Sequence, residues 1–134
     1  MMLIDAGPLV ALIHKDDDAH ARCKQTLRAI DQALVTVGPA VVETMYLLSF
    51  SWQAQDALWE MLANGAIGIA RLDETDLSRM RELMKTYRDL PMDFADAALV
   101  RVAERDGISD IFTLDRRDFL TYRIHQRRRF SLVP

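Results

Sequence analysis

Five acidic residues carry the first chemistry that can be read from the chain: Asp5, Glu43, Asp93, Asp96 and Asp115. Asp5 closes the apolar run Met2-Leu3-Ile4, and Asp115 closes Ile111-Phe112-Thr113-Leu114. Glu43 follows Gly38-Pro39 closely, and Asp93 and Asp96 stand one helical turn apart. Carboxylates with neither His nor Cys among them suit a hard cation, Mg²⁺ or Mn²⁺. His14, His20 and His125 show no ligand spacing, and the single cysteine, Cys23, can form neither a zinc site nor an internal disulfide. Gly7 and Gly38 stand alone, so there is no Gly-rich phosphate loop. No Ser-His-Asp arrangement can be assembled either. Acids that hold a metal against a polyanion imply phosphodiester hydrolysis, in which the metal activates water and meets the developing charge.

The segment after Pro91 bears on this most directly. Ala95, Ala98, Leu99 and Val102 follow the i, i+3, i+4, i+7 rule and define the buried stripe of a helix. Asp96 lies roughly 100° from Ala95 in projection, at the margin of that stripe, and Asp93 is its neighbour roughly 60° further round. A carboxylate at a buried edge is costly without a partner. No Lys or Arg stands three or four residues from Asp96. A cation supplied from outside would resolve the conflict.

These acids need elements to bring them together. Met2 to Asp5 reads as a buried strand feeding a helix that Pro8 can open. A helix from about Ala19 to Ile30 follows, capped by Asp16-Asp17-Asp18, with Cys23, Leu27 and Ile30 inward. Ala33 to Val37 is a β-branched strand, then come helices over Ala40–Phe50 and Trp52–Ala63, the second stopped by Asn64-Gly65. Ile67–Leu72 reads as a strand, Thr75–Arg88 as an amphipathic helix and Asp93–Arg105 as a helix stopped by Gly107. Asp110–Leu114 is a strand, and Phe130–Val133 a last short one. Strands alternating with helices predict an α/β domain, doubly wound, with a mostly parallel sheet of four or five strands and helices on both faces. Ligands bind at the carboxyl ends of such strands. All five acids could fall on that rim, provided the helix carrying Asp93 and Asp96 starts there.

Composition sets the outer limits. The chain has 134 residues, 50% hydrophobic and 28% charged, which is one globular domain over residues 1–134. No apolar run approaches the ~18 residues of a membrane span. Met1–Asp5 lacks a basic region, so no signal peptide is expected, and one cysteine fits a reducing cytoplasm. The net charge of −3 hides an asymmetry. From Arg116 to the end there are six Arg against one acid, whereas the other 115 residues hold 11 basic and 19 acidic groups. Arg116, Arg117, Arg127, Arg128 and Arg129 are therefore candidates for contacts to phosphates, with a solvated tail as the bland alternative.

In order and spacing the chain resembles the PIN-domain ribonucleases, in particular the VapC-type toxins of bacterial toxin–antitoxin pairs. The resemblance rests on Leu3-Ile4-Asp5-Ala6-Gly7-Pro8-Leu9-Val10-Ala11-Leu12, on Val42-Glu43 with Tyr46-Leu47, and on Met92-Asp93-Phe94-Ala95-Asp96-Ala97-Ala98-Leu99-Val100. Ile111-Phe112-Thr113-Leu114-Asp115-Arg116-Arg117-Asp118-Phe119 completes it. It implies a PIN-like domain whose acids bind one or two Mg²⁺ or Mn²⁺ ions and cut single-stranded RNA. Asp5, Glu43, Asp96 and Asp115 match the family's four acids. Asp93 matches an acid found in part of the family, and Thr113 a hydroxyl that commonly supports the last acid. Many members carry Ser or Thr just after the first Asp, where this chain has Ala6-Gly7. A cytoplasmic toxin of this type implies a VapB-type antitoxin and a homodimer as partners.

Other readings remain open on the residues alone. Asp5 and Asp115 could merely cap helices, and Glu43 could answer a helix dipole. An RNA-processing nuclease of the same fold would need no antitoxin. A non-enzymatic, receiver-like metal-binding regulatory domain would need a Lys at the end of a late strand, and Lys15, Lys24 and Lys85 are not so placed. A haloacid-dehalogenase-type phosphatase would need a second Asp at the position of Gly7. Trp52, Trp59, Met45, Met61 and Tyr46 are expected in the core; any that are exposed would form a partner surface.

Overall fold

The computed structural model describes residues 1–134. Strands β1 (Met2–Ile4), β2 (Leu34–Val37), β3 (Ile67–Ala70), β4 (Asp110–Phe112) and β7 (Ser131–Val133) form one sheet in the order β3-β2-β1-β4-β7. Every pairing in it is parallel. The side-chain period of two is visible in β1, where Leu3 faces one core and Met2 and Ile4 face the other. Ile111 and Phe112 divide in the same way on β4.

Seven helices cover the sheet: α1 (Ala6–Ile13), α2 (His20–Ala29), α3 (Gly38–Leu47), α4 (Trp52–Ala63), α5 (Glu74–Thr86), α6 (Phe94–Asp106) and α7 (Arg116–Thr121). Leu9, Cys23 and Leu58 carry α1, α2 and α4 onto one face; Met80, Leu83, Leu99 and Val102 carry α5 and α6 onto the other. α3 bridges both cores through Ala40 on one side and Met45 on the other. The doubly wound α/β expectation therefore holds. The chain leaves β1 toward β2 on one side and returns through α6 to β4 on the other. That makes the carboxyl end of β1 and β4 a topological switch point.

Element ends moved for identifiable reasons. The strand expected over Ile67–Leu72 stops at Ala70 because its partner β2 stops at Val37, the residue paired with Ala70. The strand expected over Asp110–Leu114 stops at Phe112, where its partners Ile4 and Val133 also end. α3 starts at Gly38, before the expected Ala40, because Pro39 sits where a missing N–H costs nothing. Glu43 consequently lies in the second turn of α3, not in the first. The acidic triplet does not cap α2: its N-cap is Ala19, and Asp17 instead accepts from the Ala19 N–H at 2.9 Å.

Two further features differ from expectation. Tyr46, Trp52 and Trp59 lie outside the core, at 76%, 66% and 54% exposure, because no layer packs over the outer face of the α3–α4 hairpin. Met45 and Met61 are half-buried. A small antiparallel ribbon, β5 (Arg123–Ile124) with β6 (Arg128–Arg129), turns through His125 and Gln126 at φ of 51° and 64°. Neither residue is the Gly or Asn that signals such a turn.

Candidate metal and active site

Four of the five acids are presented by the junction of a strand and a helix or by a helix start; Glu43 comes from the second turn of α3. Asp5 leaves β1 as the N-cap of α1, its Oδ1 accepting from the Ala6 N–H at 2.8 Å. Asp93 caps α6, accepting from the Asp96 N–H at 2.8 Å. Asp115 caps α7, accepting from the Asp118 N–H at 3.3 Å. Asp96 lies in the first turn of α6, and Glu43 projects from α3. Asp5, Glu43, Asp93, Asp96 and Asp115 line one cavity of about 440 Å³ together with Ala6, Gly7 and Leu114. The helix carrying Asp93 and Asp96 does start at the rim, as the sequence argument required.

Thr113 ties two of these acids together. Its hydroxyl donates to Asp5 Oδ2 at 3.1 Å and accepts from the Asp115 N–H at 3.0 Å. The support expected for the last acid thus reaches its backbone, and the hydroxyl proton serves the first acid. Asp96 is 7% exposed, and its Oδ2 accepts from the Tyr122 hydroxyl at 2.7 Å. Asp118 is the acid that the sequence reading left out of the site. Carboxylate oxygens of Asp96, Asp115 and Asp118 lie within 4.8 Å of one another. Its signal was the Asp115-x-x-Asp118 spacing across a helix start, which puts both on one side of the first turn.

The electrostatics distinguish this cluster from the other buried acids. Asp76 meets Arg101 and Arg105 at 2.8 Å, and Glu104 meets Arg79 at 2.8 Å. Both are held below the usual carboxylate range, Asp76 chiefly by the backbone N–H of Asp73 and Glu104 chiefly by Arg79 acting against burial. No Lys or Arg pairs with the rim acids. Burial pushes Asp5 up to about 6, with Glu43 and Asp93 adding repulsion. Burial pushes Asp96 up to about 8; the Tyr122 hydroxyl opposes this, and Asp93, Asp5 and Asp115 add to it. Glu43 is raised by burial and by Asp93, and Asp118 by burial and by the hydrogen bond it shares with Asp115. An all-carboxylate donor set, crowded and without a protein cation, fits a hard divalent ion.

The basic residues divide into two groups. Arg116 and Arg117 are exposed on the first turn of α7, directly after Asp115, and Arg116 donates to the Pro134 carbonyl at 2.7 Å. Arg127, Arg128 and Arg129 are exposed on the ribbon. That ribbon is anchored by the His125 N–H on Glu104 Oε2 at 3.0 Å, toward the C-terminal end of α6. Eight residues of helix, about 12 Å, separate Glu104 from Asp96. The structure gathers the acids but does not bring these three Arg residues to them.

A PIN-domain family model matches residues 2–124. The chain is 30% identical over 135 residues to Ribonuclease VapC26 of Mycobacterium tuberculosis, covering 99% of this chain and 100% of that protein. Among solved structures, Mycobacterium tuberculosis VapC20, a Sarcin-Ricin loop cleaving toxin, superposes with a TM-score of 0.80 at 17% identity, covering 87% of this chain and 92% of that one. A toxin–antitoxin complex from Klebsiella pneumoniae gives 0.72 at 15% identity, over 100% and 97% of the two chains. VapBC2 from Rickettsia felis, bound to a DNA fragment from its promoter, gives 0.67 at 16% identity, over 98% and 96%. At these identities the structural matches speak for the fold.

Proposed function

This chain belongs to the PIN-domain family, and from that premise we propose that it is a VapC-type toxin, a metal-dependent endoribonuclease that hydrolyses phosphodiester bonds of single-stranded RNA. The observation that carries the proposal is the cavity of about 440 Å³ into which five carboxylates converge with no protein cation among them. Asp5, Asp96 and Asp115, with Asp93 in support, would hold Mg²⁺ or Mn²⁺. When bound, such an ion lowers the pKa of water and meets charge developing on the phosphate.

The protein's own part is positioning. Thr113 and the caps of α1, α6 and α7 fix the acids, and three helix N-termini aim partial positive charge at the rim where a phosphate would enter. Glu43, at the more exposed edge of the cavity, is set to accept the proton of the attacking water. Arg116 and Arg117, exposed directly after Asp115, would meet RNA phosphates. Arg127, Arg128 and Arg129 would extend the contact to phosphates farther along the strand.

Residues 1–134 act as a single domain in this reading. No helix is long and apolar enough to cross a membrane, and the site of action we assign is the cytoplasm. The exposed apolar face of the α3–α4 hairpin, with Val42, Tyr46, Phe50, Trp52 and Trp59, supports a protein partner. A VapB-type antitoxin and a second copy of the chain are the partners proposed. The test is incubation of purified protein with a mixed RNA pool, with Mg²⁺ or Mn²⁺ and with EDTA. Metal-dependent cleavage that disappears in Asp96→Asn supports the assignment; cleavage that survives EDTA refutes it.

A further inference from the structure

We propose that Tyr122 is a positioning residue for metal binding: its phenol fixes Asp96 as a ligand through one oxygen. The inference rests on the metal-site reading above and goes beyond it to a residue outside the acidic set. Tyr122 is fully buried, and its hydroxyl donates to Asp96 Oδ2 at 2.7 Å. Its ring stands edge-on to Tyr87, with centroids 5.0 Å apart, and to Phe119, 5.1 Å apart. The phenol is therefore rigid. It lies at the C-cap of α7, the helix whose N-cap is Asp115, so one short segment supplies an acid at its start and a clamp at its end.

The terminal torsion of an aspartate is soft and roughly two-fold. The backbone of Asp96 is held by Asp93 and its Oδ2 by Tyr122, while no protein group donates to Oδ1. A carboxylate held in this way keeps one oxygen committed to the protein and one free for an ion. Groups that orient a metal ligand in this manner are commonly worth 10–100-fold in affinity.

The test is calorimetric titration of Mn²⁺ into the RNA-free protein, comparing wild type, Tyr122→Phe and Tyr87→Phe. Tyr122→Phe keeps the ring and removes the hydroxyl, and Mn²⁺ affinity should fall tenfold or more. Tyr87→Phe removes a phenol from the same aromatic cluster, one that accepts from the Arg123 N–H rather than touching an acid; its Mn²⁺ affinity should match wild type. Wild-type affinity in Tyr122→Phe overturns the proposal alone, and so does an equal loss in both variants, which would trace the effect to packing. If wild type itself binds no Mn²⁺, the metal reading falls and the proposal with it. A measurement on wild type guards against a variant that does not fold. The buried Tyr122 hydroxyl proton should give a downfield NMR resonance that shifts on saturation with Mg²⁺, and an unmoved resonance refutes the link.

Discussion

Replacing Asp96 by Asn should move stability and function in opposite directions. In the fold Asp96 is held up to about 8, from an ordinary value of 3.8, with burial as the first cause. Below about pH 4 both folded and unfolded chains keep the proton, and the group costs nothing. As pH rises from there, the unfolded chain releases its proton while the folded one retains it, so this group subtracts from stability until about pH 8 and then levels off. Each unit is worth about 1.4 kcal/mol, which sets a ceiling of about 4 kcal/mol at pH 7. The charges of Asp93, Asp5 and Asp115 are part of what raises it, and solvent reaches the cavity and screens them, so about 1–2 kcal/mol is the expected part.

Asn carries no such cost, and its amide oxygen can still accept from Tyr122. Metal-free Asp96→Asn should therefore melt roughly 4–8 °C above wild type at pH 7. Thermal unfolding in EDTA from pH 4 to 8 reads this directly, and the difference should vanish toward pH 4. Saturating Mn²⁺ should reverse the order, since at about 1,000 times Kd wild type gains about 4 kcal/mol that the variant has lost. RNA cleavage should fall by orders of magnitude. A metal-free variant less stable than wild type at pH 7 refutes the reasoning, because Asp96 would then be needed as a charged acceptor for the fold itself.

Thr113→Val removes the hydroxyl that bridges Asp5 and the Asp115 N–H; stability should drop by about 1–3 kcal/mol and Mn²⁺ affinity about tenfold, read by melting and calorimetry. Arg116→Gln with Arg117→Gln should lower the salt slope of single-stranded RNA binding by about one unit, read by fluorescence anisotropy across a salt series. Replacing Arg127, Arg128 and Arg129 together by Gln should lower the slope by up to about two units, and an unchanged slope would mark the ribbon as merely solvated. Asp76→Ala leaves Arg101 without its acid and Arg105 with Asp106 alone, and breaks the capping box of α5; it should cost about 2 kcal/mol and leave Mn²⁺ affinity intact.

The sheet was legible because each inner strand is a short apolar run closed by an acid or by Gly-Pro, and those closures are also where the chain turns back over the sheet. The strand ends were not legible. Leu72 and Leu114 are as apolar as the strand residues that precede them, and the lengths of the partner strands decide that the ladder stops before them. The α3–α4 face misled for a related reason. Tyr46, Trp52 and Trp59 have the composition of a core, and a face kept for a partner chain is built from the same residues. The distance between the ribbon and the acids was beyond reach, because it depends on where His125 docks against Glu104, a contact across the length of α6.

Capping and the proposed metal binding do not exclude each other at these acids. Asp5, Asp93 and Asp115 are the N-caps of α1, α6 and α7, and all three also line the cavity. Capping uses one carboxylate oxygen and orients the other. A strand that ends in an Asp cap at the rim of a parallel sheet therefore delivers a fixed oxygen to the place where ligands bind. Asp96 caps nothing, and it is the acid that needed Tyr122 to hold it. The contrast with Asp76 completes the argument. Both are buried, and both lie in the first turn of a helix, on α5 and α6. Asp76 has two Arg partners and is held low, whereas Asp96 has none and is held high. The fold could supply an arginine to a buried aspartate in one helix and left the other without, at the point where three helix N-termini meet. On the function proposed here, a cation from solution would be the partner that the second position lacks.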